Sequence, residues 1–364
     1  MKKSKKRITR FLAAAGLALF LIIAGNGALS GQSLDFPAKN WGISFGNSKE
    51  FSGLRFNFRD SRVQRISGIN VTFWQPRKDN TEAIVRGLSL GVIPGGGYLS
   101  GIQIGLLGVA SDKNLAGISI GGLGVGSGGD VIGINIGGLG AGAGETMSGL
   151  NLGGLGMGAG KNLVGINIGG LGAGAGENMT GLNIGGLGVG SGEDLIGINI
   201  GGIGAGAGRN MKGLNIGGIG AGAGEDVQGI TIGGIAAGAG ENMTGLNIGG
   251  VAVGAGNRLV GVNVGGIAVG GKEVQGLNVA GIVVGGEVLK GIHLSSGTVL
   301  VTKNGRMVGF AASPFNYIRG NQTGLSIGIV NYAWSLRGVQ LGLVNIVRDN
   351  PKGLKVLPVF NAGF

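Results

Sequence analysis

The sequence predicts an all-β protein, a repeat β-solenoid of 16-residue coils with aromatic-rich caps, and three observations predict it. From Gly101, Gly117 and Gly133 through Gly245 to Gly261, a glycine recurs every 16 residues without an insertion. Each opens a unit of the form G-[LIV]-[NQST]-[LIV]-G-[GL]-[LIV]-[GA]-x-[GA], in which aliphatic residues recur two apart. One position is asparagine in nearly every unit, at Asn135, Asn151, Asn167, Asn183, Asn199, Asn215, Asn247 and Asn263, with Thr231 as the interruption. Such regularity means that every unit sees the same surroundings, as in a stacked array whose repeats touch only their neighbours.

Composition excludes the other glycine-rich classes. The chain has 364 residues, of which 89 are Gly and only 13% are charged, which no ordinary globular domain matches. The glycines do not fall at every third residue and there are only 6 Pro, so a collagen helix is excluded. Leu, Ile, Val and Met stand at fixed places in the unit, unlike the composition of a flexible linker.

In chain order, residues 1–30 read as a secretory signal peptide. Lys2, Lys3, Lys5, Lys6, Arg7 and Arg10 precede an apolar run from Phe11 to Ala24, and Ala28-Leu29-Ser30 fits a small-x-small cleavage site; an uncleaved anchor is the alternative. Loss of those basic residues halves the formal net charge of +12, so the basic pI does not indicate nucleic-acid binding. Residues 31–100 form an N-terminal cap with degenerate repeats, opening at Gly53, Gly68 and Gly87. Residues 101–275 are the regular array, and 276–364 hold degenerate repeats, at Gly276, Gly291, Gly324, Gly338 and Gly353, with a C-terminal cap. Cysteine is absent, so packing and backbone pairing must hold the fold.

Within the unit Gly181 to Ile196, Leu182 and Ile184 are two apart, as are Leu187 and Val189, the period of a strand with one apolar face. The alternation slips at Gly185-Gly186, which therefore reads as a corner with glycine supplying positive φ. Gly192-Glu193-Asp194 has the chemistry of a second corner. Leu182, Ile184, Leu187, Val189 and Ile196 are then expected to point inward. Stacking places the asparagines at ~4.8 Å spacing, where amide ladders form, and it places Glu145, Lys161, Glu177, Glu193, Arg209, Glu225 and Glu241 together at the polar corner. Every aromatic residue lies before Leu99 or after Gly309, where bulky rings can close the ends of a slim array. The competing fold is an antiparallel meander or outer-membrane β-barrel with one strand and a turn per unit. Its lipid face would be broken at each Gly-Gly slip, and the array lacks aromatic girdles.

Gly324-Leu325-Ser326-Ile327-Gly328-Ile329-Val330-Asn331 and Gly338-Val339-Gln340-Leu341-Gly342-Leu343-Val344-Asn345, followed by Leu357-Pro358-Val359-Phe360-Asn361-Ala362, carry a resemblance. They are similar to the G-L-Q-I-G-L-[VI]-N units of the bacterial Gly-rich surface-repeat family first catalogued in leptospires. The resemblance covers residues 53–364 loosely and implies an exported surface protein with no catalytic residues. The central array departs from it by carrying G-[LI]-G in place of L-V-N.

No catalytic, cofactor-binding or metal-ligating residue is expected, and no cofactor. The P-loop-like run Gly266 to Lys272 is followed by Glu273 where Ser or Thr would hold magnesium. The run Gly121 to Asp130 departs from the calcium nonapeptide by placing Gly126 at the acidic position. His293, the only histidine, is expected at a surface or cap position, and the stacked pairs Glu177/Glu193 and Glu225/Glu241 as solvated carboxylates. The sequence therefore predicts an exported bacterial surface protein, at the cell surface or outer membrane, with a structural or adhesion role and no enzyme activity. Its expected partner is a surface or envelope component, with association to an outer membrane and none to nucleic acid. A β-barrel pore is the alternative function.

Overall fold

The structure, a computed structural model, describes residues 33–363; the signal peptide expected over 1–30 lies outside them. Two compact units follow one another, the first ending at Gly129 and the second starting at Asp130, and each is a β-solenoid.

In the second unit the coil follows the sequence closely. A long strand, Met179–Gly185, reaches a corner at Gly186 and Leu187, a short strand, Gly188–Ser191, runs to a second corner over 192–194, and the next long strand is Leu195–Gly201. Successive coils pair in parallel and in register, Met179 with Leu195, Gly181 with Gly197, Asn183 with Asn199, and Gly188 with Gly204. The corners join the ladder too, since Leu187 N donates to Leu171 O at 2.6 Å and Glu193 N to Glu177 O at 2.8 Å. Almost every backbone donor thus finds its acceptor one coil away, which a Gly-rich chain with small side chains requires. Parallel pairing between coils rules out the antiparallel meander or barrel as the fold of this array. Antiparallel pairing closes the end, where Val356–Gly363 lies on Val330–Val347.

The long strand and the corner turn their side chains opposite to expectation, while Val189 on the short strand points inward as expected. Asn183 and Leu195 have no exposed surface and Val189 has 4%, whereas Leu187 is 49% and Ile196 37% exposed, with Leu182 and Ile184 half-buried on the outer side. Side chains alternate along a strand, so once Leu195 and Asn199 point inward, Ile196, Ile198 and Ile200 must point out. Asparagine takes the inside because each amide is satisfied by the one stacked upon it.

The left-handed glycine is also displaced from the expected place. Positive φ occurs not at the Gly-Gly corner but at the first position of the unit, as at Gly181 with φ +117°. There a Cβ would stand 2.0 Å from Gly165 O, so both conformation and stacking demand glycine. The corner glycine is required only by close approach: a Cβ on Gly202 would lie 1.9 Å from Gly186 O.

The first-position column identifies the degenerate coils. In the first unit Gly42, Gly53, Gly68, Gly87, Gly101 and Gly117 pair in sequence with φ from +109° to +133°, and Ser33–Ala38 closes its edge as an antiparallel hairpin with Trp41–Gly46. In the second, Gly276, Gly291, Gly309, Gly324 and Gly338 continue it. Gly309 was hidden by an insertion that shifts register between Val301 and Arg306, and Gly353 stands off the column with nothing near its Cβ position. Aromatic residues do populate these terminal coils, but mainly on the outside, stacked from coil to coil: Phe45 on Phe56 and Phe58 on Phe73 in the first unit, both with 5.5 Å between centroids, and Tyr317 on Tyr332 in the second at 5.0 Å.

Candidate interaction surface

The inner column at the third position is polar except at Ala311 and organises what lies outside it. In the second unit Asn135 Nδ2 donates to Asn151 Oδ1 at 2.9 Å, and the chain of amides runs on through Asn167, Asn183 and Asn199 to Asn215 at 2.8–2.9 Å. It resumes from Asn247 through Asn263 to Asn278 at 2.8 Å. Thr231 breaks it, leaving Asn215 Nδ2, Thr231 Oγ1 and Asn247 Oδ1 without partners. At the far end Asn278 Nδ2 lies 3.2 Å from His293 Nδ1, and His293 Nε2 is unpartnered. His293 is therefore fully buried rather than at a surface or cap position, because it occupies the asparagine register. Burial lowers its pKa from 6.5 to about 4, since the charged imidazolium is disfavoured away from water.

The corresponding column of the first unit runs from Ser44 to Arg55, which is held in a buried ion pair. Arg55 Nη1 donates to Asp60 Oδ1 at 2.6 Å and to Asn70 Oδ1 at 2.8 Å, while Thr72 Oγ1 and Asn57 Nδ2 donate to the same carboxylate. Arg55 is entirely buried and Asp60 nearly so. A charge held this way is tolerated because its remaining donors and acceptors are satisfied.

Placing asparagine inside puts the aliphatic residues outside. In the second unit every residue at the second position from Ile134 to Ile292, and at the fourth from Ile136 to Leu294, is Ile, Leu or Val. Those at the second position include Ile166 and Ile198 at 44% exposed and Ile292 at 46%. At the corner a third column from Leu139 to Ile282 forms a ridge, with Leu171 50% and Ile219 52% exposed. Scattered exposed aliphatics are ordinary, whereas a contiguous patch beyond ~300–600 Å² marks an interaction site. The long-strand face carries such aliphatic exposure continuously from coil to coil through this array.

The first outward position of the long strand, on the edge of this face, is polar in some coils and aliphatic, as Ile132, Val164, Ile196 and Val260, in others. Ser148, Thr180, Lys212, Gln228 and Thr244 stand there, at the sixteenth position, and the charged corner lies beyond them. There Lys161 pairs with Glu145 at 3.3 Å and Arg209 with Glu193 at 2.8 Å, in solvent, where such pairs contribute ~0–1 kcal/mol. The residues Gly266 to Lys272 form a corner and the short strand Ala268–Gly270, not a phosphate-binding loop before a helix. Among the described residues no cluster of three His, Cys, Asp or Glu side chains could hold a metal ion.

Sequence reasoning missed this face, although a signal for it was present. Lys212 and Gln228 share strand parity with Leu214, Ile216, Ile230 and Ile232. A lysine cannot point into so thin a coil, so its parity marks the outer face. No protein-family model, curated protein or solved structure matches the chain.

Proposed function

We propose that this chain is an exported bacterial surface protein with a structural and adhesive role, acting by presenting a surface rather than by catalysis. The observation that carries the reading is the unbroken aliphatic second- and fourth-position columns on the long strands of the second unit. A soluble monomer gains nothing from leaving so much aliphatic surface in water, and a surface or envelope component that covers it supplies the reason for its uniformity. Export rests on the basic, apolar and small-residue segments of residues 1–30. The Asn ladder and glycine columns give that surface a rigid support, as binding faces require.

The test combines place and surface. Intact cells are treated with a membrane-impermeant amine label and then fractionated with carbonate and detergent. Labelling of the protein in intact cells, with loss of cell adhesion when Ile198 and Ile200 are both replaced by Lys, is the expected result. A cytoplasmic protein, or full adhesion by the variant, contradicts the proposal.

A further inference from the structure

We propose that the aliphatic face of the second unit is covered by the same face of a second copy of this chain, forming a face-to-face homodimer. The inference rests on the reading of that face as an interaction surface and names its occupant.

Area is the first argument. At ~25 cal/mol per Å², the ~1.5–3 kcal/mol of a fully buried aliphatic side chain corresponds to roughly 60–120 Å²; Ile134, Ile166, Ile168, Ile198, Ile230, Val262, Leu277 and Ile292 show 36–46% of their surface to water, and the other residues of the second- and fourth-position columns show less. Those eight offer roughly 25–50 Å² each and the others less, so the two columns from Ile134 to Leu294 together offer at most on the order of 500–1,000 Å². A stable complex needs about 800 Å² from each partner, which this face approaches only when it is covered along its whole length.

Commensurate spacing is the second. The coils from Gly133 to Gly261 keep one 16-residue step, without insertion, so rows of side chains recur at the ~4.8 Å strand spacing. A second copy has rows at the identical spacing and can seat them in the grooves of the first along the whole face, as packed sheets do at ~10 Å separation. A partner without this repeat meshes only locally. A two-fold axis through the face brings the same patch of each copy together.

Charge and aromatic placement argue against a lipid bilayer as the occupant. Between Ile134 and Leu294 nine acidic residues stand against six basic ones, Lys212 and Lys290 on the long strands among them, and the net negative balance disfavours anionic headgroups. No Trp, Tyr or Phe lies between Gly133 and Leu294, although membrane-surface elements anchor through such rings and basic residues. Homodimer interfaces, in contrast, are enriched in apolar area and poor in charge.

The test is sedimentation equilibrium of the full-length protein, compared with Ile198→Lys/Ile200→Lys and with Leu182→Thr/Ile184→Thr, whose residues keep strand propensity. Every variant retains the same N-terminal segment, so differences report the face alone, and far-UV circular dichroism verifies the coil. A dimeric parent, with the lysine pair weakening association by about 100-fold or more and the threonine pair by less, is the expected result. Failure of folded variants to change the association overturns the proposal. In parallel, all three proteins are floated with neutral and with anionic phospholipid vesicles. A monomeric parent that binds vesicles, with binding lost in the lysine variant, overturns the second copy as occupant while sustaining the face as an interaction surface. A parent that neither associates nor binds vesicles, and whose variants adhere to cells as it does, refutes both.

Discussion

Replacing Thr231 by asparagine should stabilise the second unit, and the size of the gain follows from the inner column. Thr231 pairs in register with Asn215 on one side and Asn247 on the other, and the three residues leave three polar atoms buried without partners. Elsewhere in this column asparagine fits between asparagines with amide contacts of 2.8–2.9 Å, so Thr231→Asn needs no new geometry. It adds two hydrogen bonds, one from Asn215 and one to Asn247, and removes the orphaned hydroxyl. A net contribution of about 0.5–1.5 kcal/mol per bond gives about 1–3 kcal/mol in total. A stacked array can open locally, so hydrogen exchange is the appropriate assay. Amides of the long strands Met211–Gly217, Val227–Gly233 and Asn242–Gly249 should exchange roughly 5- to 150-fold more slowly, while Leu163–Gly169 changes little. Thr231→Val, which removes the hydroxyl but restores neither amide, should fall between parent and asparagine variant. Unchanged or faster exchange in Thr231→Asn refutes the idea that a continuous amide ladder holds the coils together.

Other perturbations test the remaining features. Gly202→Val should unfold or strongly destabilise the array, since its Cβ would meet Gly186 O, whereas Gly188→Ala should be neutral or stabilising by up to about 1 kcal/mol because its Cβ would lie 3.6 Å from Gly204 O; equal melting temperatures for the two would contradict this. His293 takes up a proton at pH 6.5 when unfolded but only at about 4 when folded, so its contribution is favourable above pH 6.5 and lost as pH falls toward 4, by up to about 3 kcal/mol. His293→Asn should flatten that part of the stability profile, and an unaltered slope between pH 6.5 and 4 would disprove the assignment. Asp60→Asn leaves the buried Arg55 guanidinium without its counter-ion and should cost about 3–5 kcal/mol in the first unit, read by denaturant unfolding; a loss below about 1 kcal/mol would show the pair to be solvated.

Much of the fold is legible in the residues. Period, corner positions and the amide column follow from Gly101 through Gly261 and from Asn135 through Asn263, because stacking in register repeats each requirement one coil later. The direction of the side chains is less legible. Leu182 and Ile184 look like core residues and Asn183 like a surface one, and the inversion is favourable only because neighbouring coils satisfy each amide, an interaction between residues 16 apart. Nor does the sequence distinguish Gly181, which needs positive φ, from Gly185 and Gly186, which need only closeness, since all three positions are glycine in every unit from Gly117 to Gly261. His293 looked isolated because its neighbour in the column is Asn278, one coil away rather than nearby in sequence. The candidate face was hidden by the same inversion, and Lys212 carried the information that exposes it.

Deleting whole and half coils tests the parallel, in-register stack most directly. Removal of residues 181–196 joins Thr180 to Gly197, returns every downstream glycine to its column and brings Asn167 beside Asn199, so the amide ladder continues with one member fewer. Removal of residues 181–188 instead takes away the long strand from its left-handed glycine onward and leaves the next coil out of register. Limited proteolysis of the two variants beside the parent should find the 16-residue deletion as resistant as the parent and the 8-residue deletion rapidly degraded. If both deletions are degraded alike, the 16-residue coil is not the structural unit.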